Sequence, residues 1–237
     1  MRKTMFLSAV ILIGCAGLVG LVAWWLLCHV PHFYREAAAP PGPDRQAASR
    51  RFESQLHSFF VNDIRYEAAW QATWDGPELN SWLAEDFVNS NLASLLPAGL
   101  TEPRLVFRYD CVLLGFQWEV LGLKGVVNLE FKIWLAPRDP NVIIVQIERF
   151  QFGAVPLAIK LLQDEFGERI RQQNVKVLWY RHLGRPTVVL RLQADQREPS
   201  IILEALEVAD GRLTVKGRSL DPELRGPVIG SGSAANR

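Results

Sequence analysis

The chain is short of the residues that most enzyme and cofactor chemistry needs. It has three cysteines in 237 residues. Cys15 and Cys28 lie in an apolar run near the start, so Cys111 stands alone in the rest and no disulfide framework can form. That gives no support to an oxidising compartment and does not exclude one. There are four histidines, and beyond the first stretch only His57 and His182 remain as histidine bases. An excess of one charge is also missing. The formal net charge is +1, and the pairs Arg2-Lys3 and Arg50-Arg51 never grow into a tract. No global field therefore draws the chain to nucleic acid. Nucleotide cradles (G-x-x-x-x-G-K-[ST], G-x-G-x-x-G), the G-x-S-x-G elbow and the zinc spacings H-E-x-x-H and C-x-x-C do not occur. The expectation is a non-enzymatic protein with no cofactor and no metal.

What is present begins with a long hydrophobic run. Arg2 and Lys3 precede Phe6 to Val30, which carries no formal charge. A bilayer core needs about 20 apolar residues in a helix, whereas a cleavable signal core has roughly 7–15. Residues 1–4 then read as a cytoplasmic stub and 5–30 as a transmembrane helix, with Trp24 and Trp25 at the lipid–water boundary. The basic pair keeps the N-terminus in the cytoplasm, which puts the remainder outside an inner membrane. Leu12-Ile13-Gly14-Cys15 resembles a lipobox, but residues 16–28 stay apolar where a mature lipoprotein turns polar. Lipoprotein processing at Cys15 is therefore the alternative to an uncleaved anchor. Cys28, His29 and His32 are metal-ligand types without a fourth partner nearby, and read as a boundary segment. The AAAPPGP stretch at 37–43 favours an extended spacer, so 31–46 reads as a stalk.

The body, 47–220, alternates two periods. Phe52, Leu56, Phe59 and Phe60 make one face of a helix over about 47–63. Trp70, Ala72 and Trp74 alternate with polar residues as in a strand. Asp75, Pro77 and Glu78 have the pattern of a capped helix start. That helix is expected to run to about Leu95, with Leu79, Trp82, Leu83 and Phe87 on one face. Asp86 returns to this apolar side, either as a flank carboxylate or as a buried acid with a partner. Four strands follow in PRLVFRYD, CVLLGFQWEVL, GVVNLEFKIWL and NVIIVQIERFQF. A helix is expected to open at Gly153-Ala154-Val155-Pro156, with Ile159, Leu162, Phe166 and Ile170 on one side. Four more strands follow in NVKVLWYRH, PTVVLRLQ, SIILEALEV and RLTVKGRS, the last two joined by the hairpin signal Asp210-Gly211. The expected fold is α+β: an N-terminal transmembrane helix, then a long curved antiparallel sheet packed on two to three helices, with helix plus four strands organised twice. Residues 221–237, rich in Gly, Ser and Pro, read as a flexible tail.

The order of a strand, ELNSWLA at 78–84, a meander and a Gly-x-Val-Pro helix opening at 153–156 resembles bacterial envelope proteins of the YpmS and YceB type. The likeness covers about 67–218. It implies a membrane or lipid anchor and a tubular lipid-binding-like domain with affinity for lipid or another apolar ligand, and it implies no catalytic residues. The longer helix before Arg65 and the many tryptophans depart from that pattern.

The tryptophans beyond the anchor read first as core. In the alternative, Trp70, Trp74, Trp82 and Trp118 line a ligand groove. Trp134 falls on the polar side of its strand and reads as a surface contact for protein or membrane. Cys111, beside Val112 and Leu113, reads as a small buried hydrophobe. The leading expectation is a single-pass envelope protein whose outer domain binds lipid or an apolar ligand. A module docking on a membrane-protein complex is the rival, and an unfamiliar enzyme around Asp86, His57 or His182 is the third.

Overall fold

A computed structural model describes residues 2–90, 93, 96–97, 99–120, 122–139, 141–164, 176–192 and 199–220; in the first helix, side chains are described from Leu12 onward. Helix α1 is unbroken over Arg2–Leu27, and α2 is a single turn over His32–Glu36. Helix α3, Pro43–Ser58, continues through a π turn at Phe59–Asp63 into the short α4, Ile64–Tyr66. Strand β1, Ala69–Asp75, leads into α5, Gly76–Glu85. Four long strands follow: β2 (Leu100–Arg108), β3 (Cys111–Val120), β4 (Leu123–Leu135) and β5 (Val142–Phe152). The two-residue β6 (Val155–Pro156) precedes β7 (Lys176–His182), β8 (Arg185–Arg191), β9 (Ile201–Ala209) and β10 (Arg212–Ser219).

The strands form two antiparallel sheets. The larger runs β2-β3-β4-β5-β8-β7, with β6 on β5, and the smaller runs β1-β10-β9. The fold is α+β with a large antiparallel sheet and a few helices, as expected. The order of a helix and four long strands, twice, is present along the chain from α5 onward, with β1 and β6 added, but the single long sheet is corrected to two. Strands β7 and β8 extend the first meander, while β9 and β10 return across the chain to pair with β1, Trp70 opposite Gly217 and Trp74 opposite Leu213. The small sheet meets the large one beside the β2–β3 and β4–β5 turns. There Asn141 holds Ile201 O and Leu203 N, and Asp110 N donates to Val208 O.

Two helix expectations are also corrected. The π turn adds a residue to the helical repeat, so Phe59 is buried and Phe60 is left exposed. Phe59 then stacks edge-on against both Trp70 and Trp74, each with centroids 5.3 Å away. Helix α5 stops at Glu85 rather than near Leu95 and passes into a 3-10 turn at Phe87–Asn89. Asp75 occupies the N-cap position without a side-chain hydrogen bond, and Glu78 pairs with Arg51 instead of closing a capping box. The opening at 153–156 is turn and β6; helix begins at Ile159, and Phe166 and Ile170 lie outside the described residues, as does the tail from 221.

The segment expected as a stalk is folded onto the sheet. Phe33 and Tyr34 of α2 are buried against Leu113 and Val126. Gly115 makes this approach feasible, since a Cβ there would lie 2.5 Å from the Tyr34 ring. The Tyr34 hydroxyl donates to Glu102 O at 2.8 Å, and the Arg104 guanidinium lies over the ring while donating to Tyr34 O. The end of α1 is held just as closely. Ala154 N donates to Leu26 O at 2.9 Å, Leu27 packs on the cluster of Val127, Phe150 and Phe152, and a Cβ on Gly125 would lie 2.8 Å from Leu27 O. From Leu12 to Trp25, by contrast, α1 is exposed. Among the described residues no helix is long and apolar enough to cross a membrane.

Two tests follow from α2. Replacing Gly115 with Val should push Tyr34 off the sheet and cost about 2–3 kcal/mol, read as a lower midpoint on thermal unfolding of the full chain in detergent. Burial pushes the Tyr34 hydroxyl from 10.0 up to about 12, against the opposing pull of Arg104. A raised folded-state pKa stabilises fully below the unfolded value and is lost as pH climbs through that interval. Stability should therefore fall between about pH 10 and 12, and Tyr34→Phe should flatten that part of the pH profile.

Candidate functional site

Two cavities meet beneath the Ala37–Pro40 segment, which passes over them as a strap. The first, about 490 Å³, lies between the strap, α5 and the start of β2, lined by Leu83, Ala84, Phe87, Leu96, Leu100 and Pro103. The second, about 590 Å³, continues along β2 past Val106 and Phe107 to Gly211. Both touch Arg45 and Asn80. Strand β2 is an edge of the large sheet, so its outward backbone groups need partners from elsewhere. Asn80 supplies them from α5: its amide nitrogen donates to Leu105 O at 2.6 Å and its oxygen accepts from Leu105 N at 2.7 Å. Further along, Gly211 N donates to Phe107 O.

Charge in the first cavity is paired. Arg45 bonds Glu85 at 2.5 Å and reaches Ala39 O, which ties the strap to α5. Arg104 bonds Glu102 at 2.8 Å on the opposite wall. Asp86 has the partner that a carboxylate on an apolar face needs: it accepts from the hydroxyl of Ser49, which is only 1% exposed. The lining is therefore apolar at Leu83, Ala84, Phe87, Leu96 and Leu100, with Arg45 and Asn80 on one side and Thr101, Glu102 and Arg104 on the β2 wall.

At one end the cavity reaches Leu100, which packs on the same cluster of Val127 and Phe152 as Leu27 does. Register sets Leu100 opposite Trp118 and Trp118 opposite Gly125, so this part of the cavity lies at the same end of the sheet as the α1 contact. No family model, curated protein or solved structure matches this chain. Function has to be read from this geometry.

Of the four tryptophans named as groove-lining, Trp70 and Trp74 come together across Phe59, and Trp82 and Trp118 lie in other parts of the fold. Trp70 is buried in the small sheet and donates from Nε1 to Ser219 Oγ at 3.2 Å. Trp74, its neighbour across Phe59, borders a shallow cavity of about 230 Å³ with Gln55 and Asp63. Trp82 lies between Phe52 and Phe87, with centroids 5.6 Å away on each side, filling the α3–α5 interface. Trp118 meets Phe152 edge-on at 5.7 Å at the α1 end of the sheet. None is among the lining residues of the two strap cavities. Trp134 is half-buried in a cross-strand row with Ile144, Val189 and Leu178.

His57 is exposed on α3 and His182 at the end of β7, in separate elements. Burial, then the Glu130 charge, raises the Cys111 thiol and disfavours a thiolate nucleophile. Among the described residues no three His, Cys, Asp or Glu side chains are placed to hold a metal ion. By helical spacing Asn80 lies at the margin of the apolar face and Ser81 opposite it, yet both are buried, and nothing in the spacing marks Asn80 as the partner of a strand edge. Asn80→Leu keeps the branched shape but leaves Leu105 N and O at the sheet edge without their side-chain partner. It should cost about 2–4 kcal/mol in urea unfolding followed by tryptophan fluorescence.

Proposed function

We propose that this chain is a membrane-anchored, non-enzymatic envelope protein whose α+β domain holds the apolar part of a lipid in the cavity under the strap. The observation that carries the reading is the position of that cavity, whose apolar wall reaches the end of the sheet against which the last residues of α1 are packed. A lipid chain leaving the bilayer there would enter along Leu96 and Leu100 and lie against Leu83 and Phe87. The paired charges of Arg45 and Arg104 mark the wet side.

The anchor is part of this proposal. Helix α1 has 26 residues, about 39 Å at 1.5 Å per residue; its described residues alone do not make a membrane span, and the proposal rests on the uncharged sequence run from Phe6 to Val30, against a hydrocarbon core of about 30 Å. Leu12, Ile13, Leu18, Val19, Leu21, Trp24 and Trp25 are all more than half exposed, on no single face. Such a surface is unfavourable in water and favourable in lipid. Arg2 and Lys3 at its start orient the domain outward, at the outer face of an inner membrane. The resemblance of the sequence order to envelope proteins of the YpmS and YceB type implies an affinity for lipid, which agrees with this proposal.

A second reading, a module docking on a membrane-protein complex, is favoured by the outer face of the edge strand β7. Leu178 is 40% and Tyr180 55% exposed there, in line with Val189, Ile144 and Trp134.

Full-length protein purified from membranes should carry co-purifying lipid detectable by native mass spectrometry. Ala84→Trp, which fills the first cavity from its exposed rim, should remove most of that lipid while leaving the protein membrane-bound after alkaline extraction. Retained lipid in a folded Ala84→Trp protein would count against the cavity. Crosslinks through β7 to one membrane protein in an otherwise lipid-free sample would favour the docking module.

A further inference from the structure

The large sheet ends in two edges of opposite character. At β2, Asn80 holds Leu105 N and O, Gly211 N donates to Phe107 O, and Pro103 has no N–H to offer. At the other edge β7 pairs with β8 and, among the described residues, with nothing else. Leu183 and Gly184 both have positive φ, +50 and +79, as in a two-residue I′ turn, so His182 and Arg185 close the hairpin as a hydrogen-bonded pair. Alternation along the ladder then turns the N–H and C=O of Arg181, Trp179 and Val177 outward. Pro186, opposite Arg181, agrees with this register, because its place calls for no N–H toward β7. The three outward residues span about 14 Å at the rise of a strand.

The side chains define what kind of strand fits there. Mid-strand charges, prolines and bulges are among the devices that keep an edge from pairing. From Val177 to Tyr180, β7 has none of them. Val177 and Trp179 pack on the main apolar cluster, while Leu178 and Tyr180 are exposed on the other face. Charge collects at the ends of the hairpin and has one sign. Residues 176–191 contain Lys176, Arg181, His182, Arg185 and Arg191 and no acid. Arg185 pairs with Glu148 of β5, whereas Arg181 and Arg191 have no ion-pair partner among the described residues. A second copy fits poorly. Pairing about Trp179 would set position 176 opposite His182 and Val177 opposite Arg181, joining two basic strands with no acid between them. We propose that β7 takes up an acidic strand from another protein, an extended segment that alternates Asp or Glu with apolar residues. Its backbone occupies the outward groups of Val177, Trp179 and Arg181. Its acids share the face of Arg181, and its apolar side chains share the face of Leu178 and Tyr180. The inference rests on the docking reading of β7 and gives that reading its mode and its partner's chemistry. It needs neither α1 in a bilayer nor a lipid under the strap.

Fluorescence anisotropy on the full chain in detergent tests this with labelled octapeptides. One alternates Glu and Val, a second alternates Lys and Val, and two more are the Glu–Val peptide N-methylated at its Glu or at its Val positions. The Glu–Val peptide should bind, and at low salt the Lys–Val peptide should bind about tenfold more weakly or worse. One methylated peptide should lose binding and the other keep it, because alternate N–H groups face β7. Arg181→Gln removes a charge, and Arg181→Pro removes the charge and an outward N–H that β8 does not use. The Pro variant should therefore bind the Glu–Val peptide about threefold to tenfold more weakly than the Gln variant. An unchanged thermal midpoint in both separates loss of binding from loss of fold. Equal binding of the Glu–Val and Lys–Val peptides, retention of both methylated peptides, or no binding at all would overturn the proposal. So would a dimer of the chain that Arg181→Pro abolishes, which gives the edge to a second copy. Crosslinks from position 180 to a membrane protein that persist in Arg181→Pro would leave the docking reading standing and sink strand addition alone. No crosslink and no bound peptide would sink both.

Discussion

The rest of the structure depends on a backbone contact between helix and sheet. The last carbonyls of α1 rest on Gly125 and Gly153, two positions where any side chain would collide with them, and Ala154 N closes the contact with a hydrogen bond to Leu26 O. Gly153 also has φ +58, a left-handed conformation that glycine adopts without strain. Leu27 then enters the main apolar cluster, and Phe33 and Tyr34 continue the contact across Gly115. Helix, turn and sheet form one piece. Whatever holds α1 therefore fixes how the domain is presented.

That constraint explains why polar groups collect where they do. An edge strand beside a helix leaves backbone groups that water cannot reach, and Asn80 satisfies two of them at Leu105. Ser49 does the same for the carboxylate of Asp86 between α3 and α5. With these groups satisfied, α5 can stand close to β2 and leave a partly apolar space below the strap instead of a collapsed interface. The strap is tied down through Arg45, which donates to Ala39 O while pairing with Glu85, a contact weaker and more exchangeable than the apolar contacts of the sheet.

Much of the strand content was legible in the chain. Alternation placed β2 to β5 and β7 to β10 to within a few residues, and Asp210-Gly211 marked the last hairpin. The pairing of β1 with β10 was not legible, because it joins residues about 140 positions apart and no local signal encodes a partner at that distance. The π turn escaped for a related reason: Phe59 and Phe60 fit the apolar face equally well by spacing, and only the grip of Trp70 and Trp74 chooses between them. The AAAPPGP composition indicated a spacer correctly in its backbone and wrongly in its freedom, since Tyr34 and Arg45 pin it at both ends. The tryptophans read first as core, and aromatic packing surrounds them: Trp70 and Trp74 share Phe59, Trp82 sits between Phe52 and Phe87, and Trp118 meets Phe152.

The central claim is that α1 lies in the bilayer with the body seated at its surface in a fixed pose. Spin labels on the full chain in nanodiscs test this most directly, one at position 122 in the β3–β4 turn beside Gly125 and one at position 109 in the β2–β3 turn at the far end. The account predicts that the label at 122 is reached by a lipid-soluble relaxant at headgroup depth, while the label at 109 is reached only by a water-soluble one. Equal exposure of both labels to water, or the reverse order of depth, would contradict it.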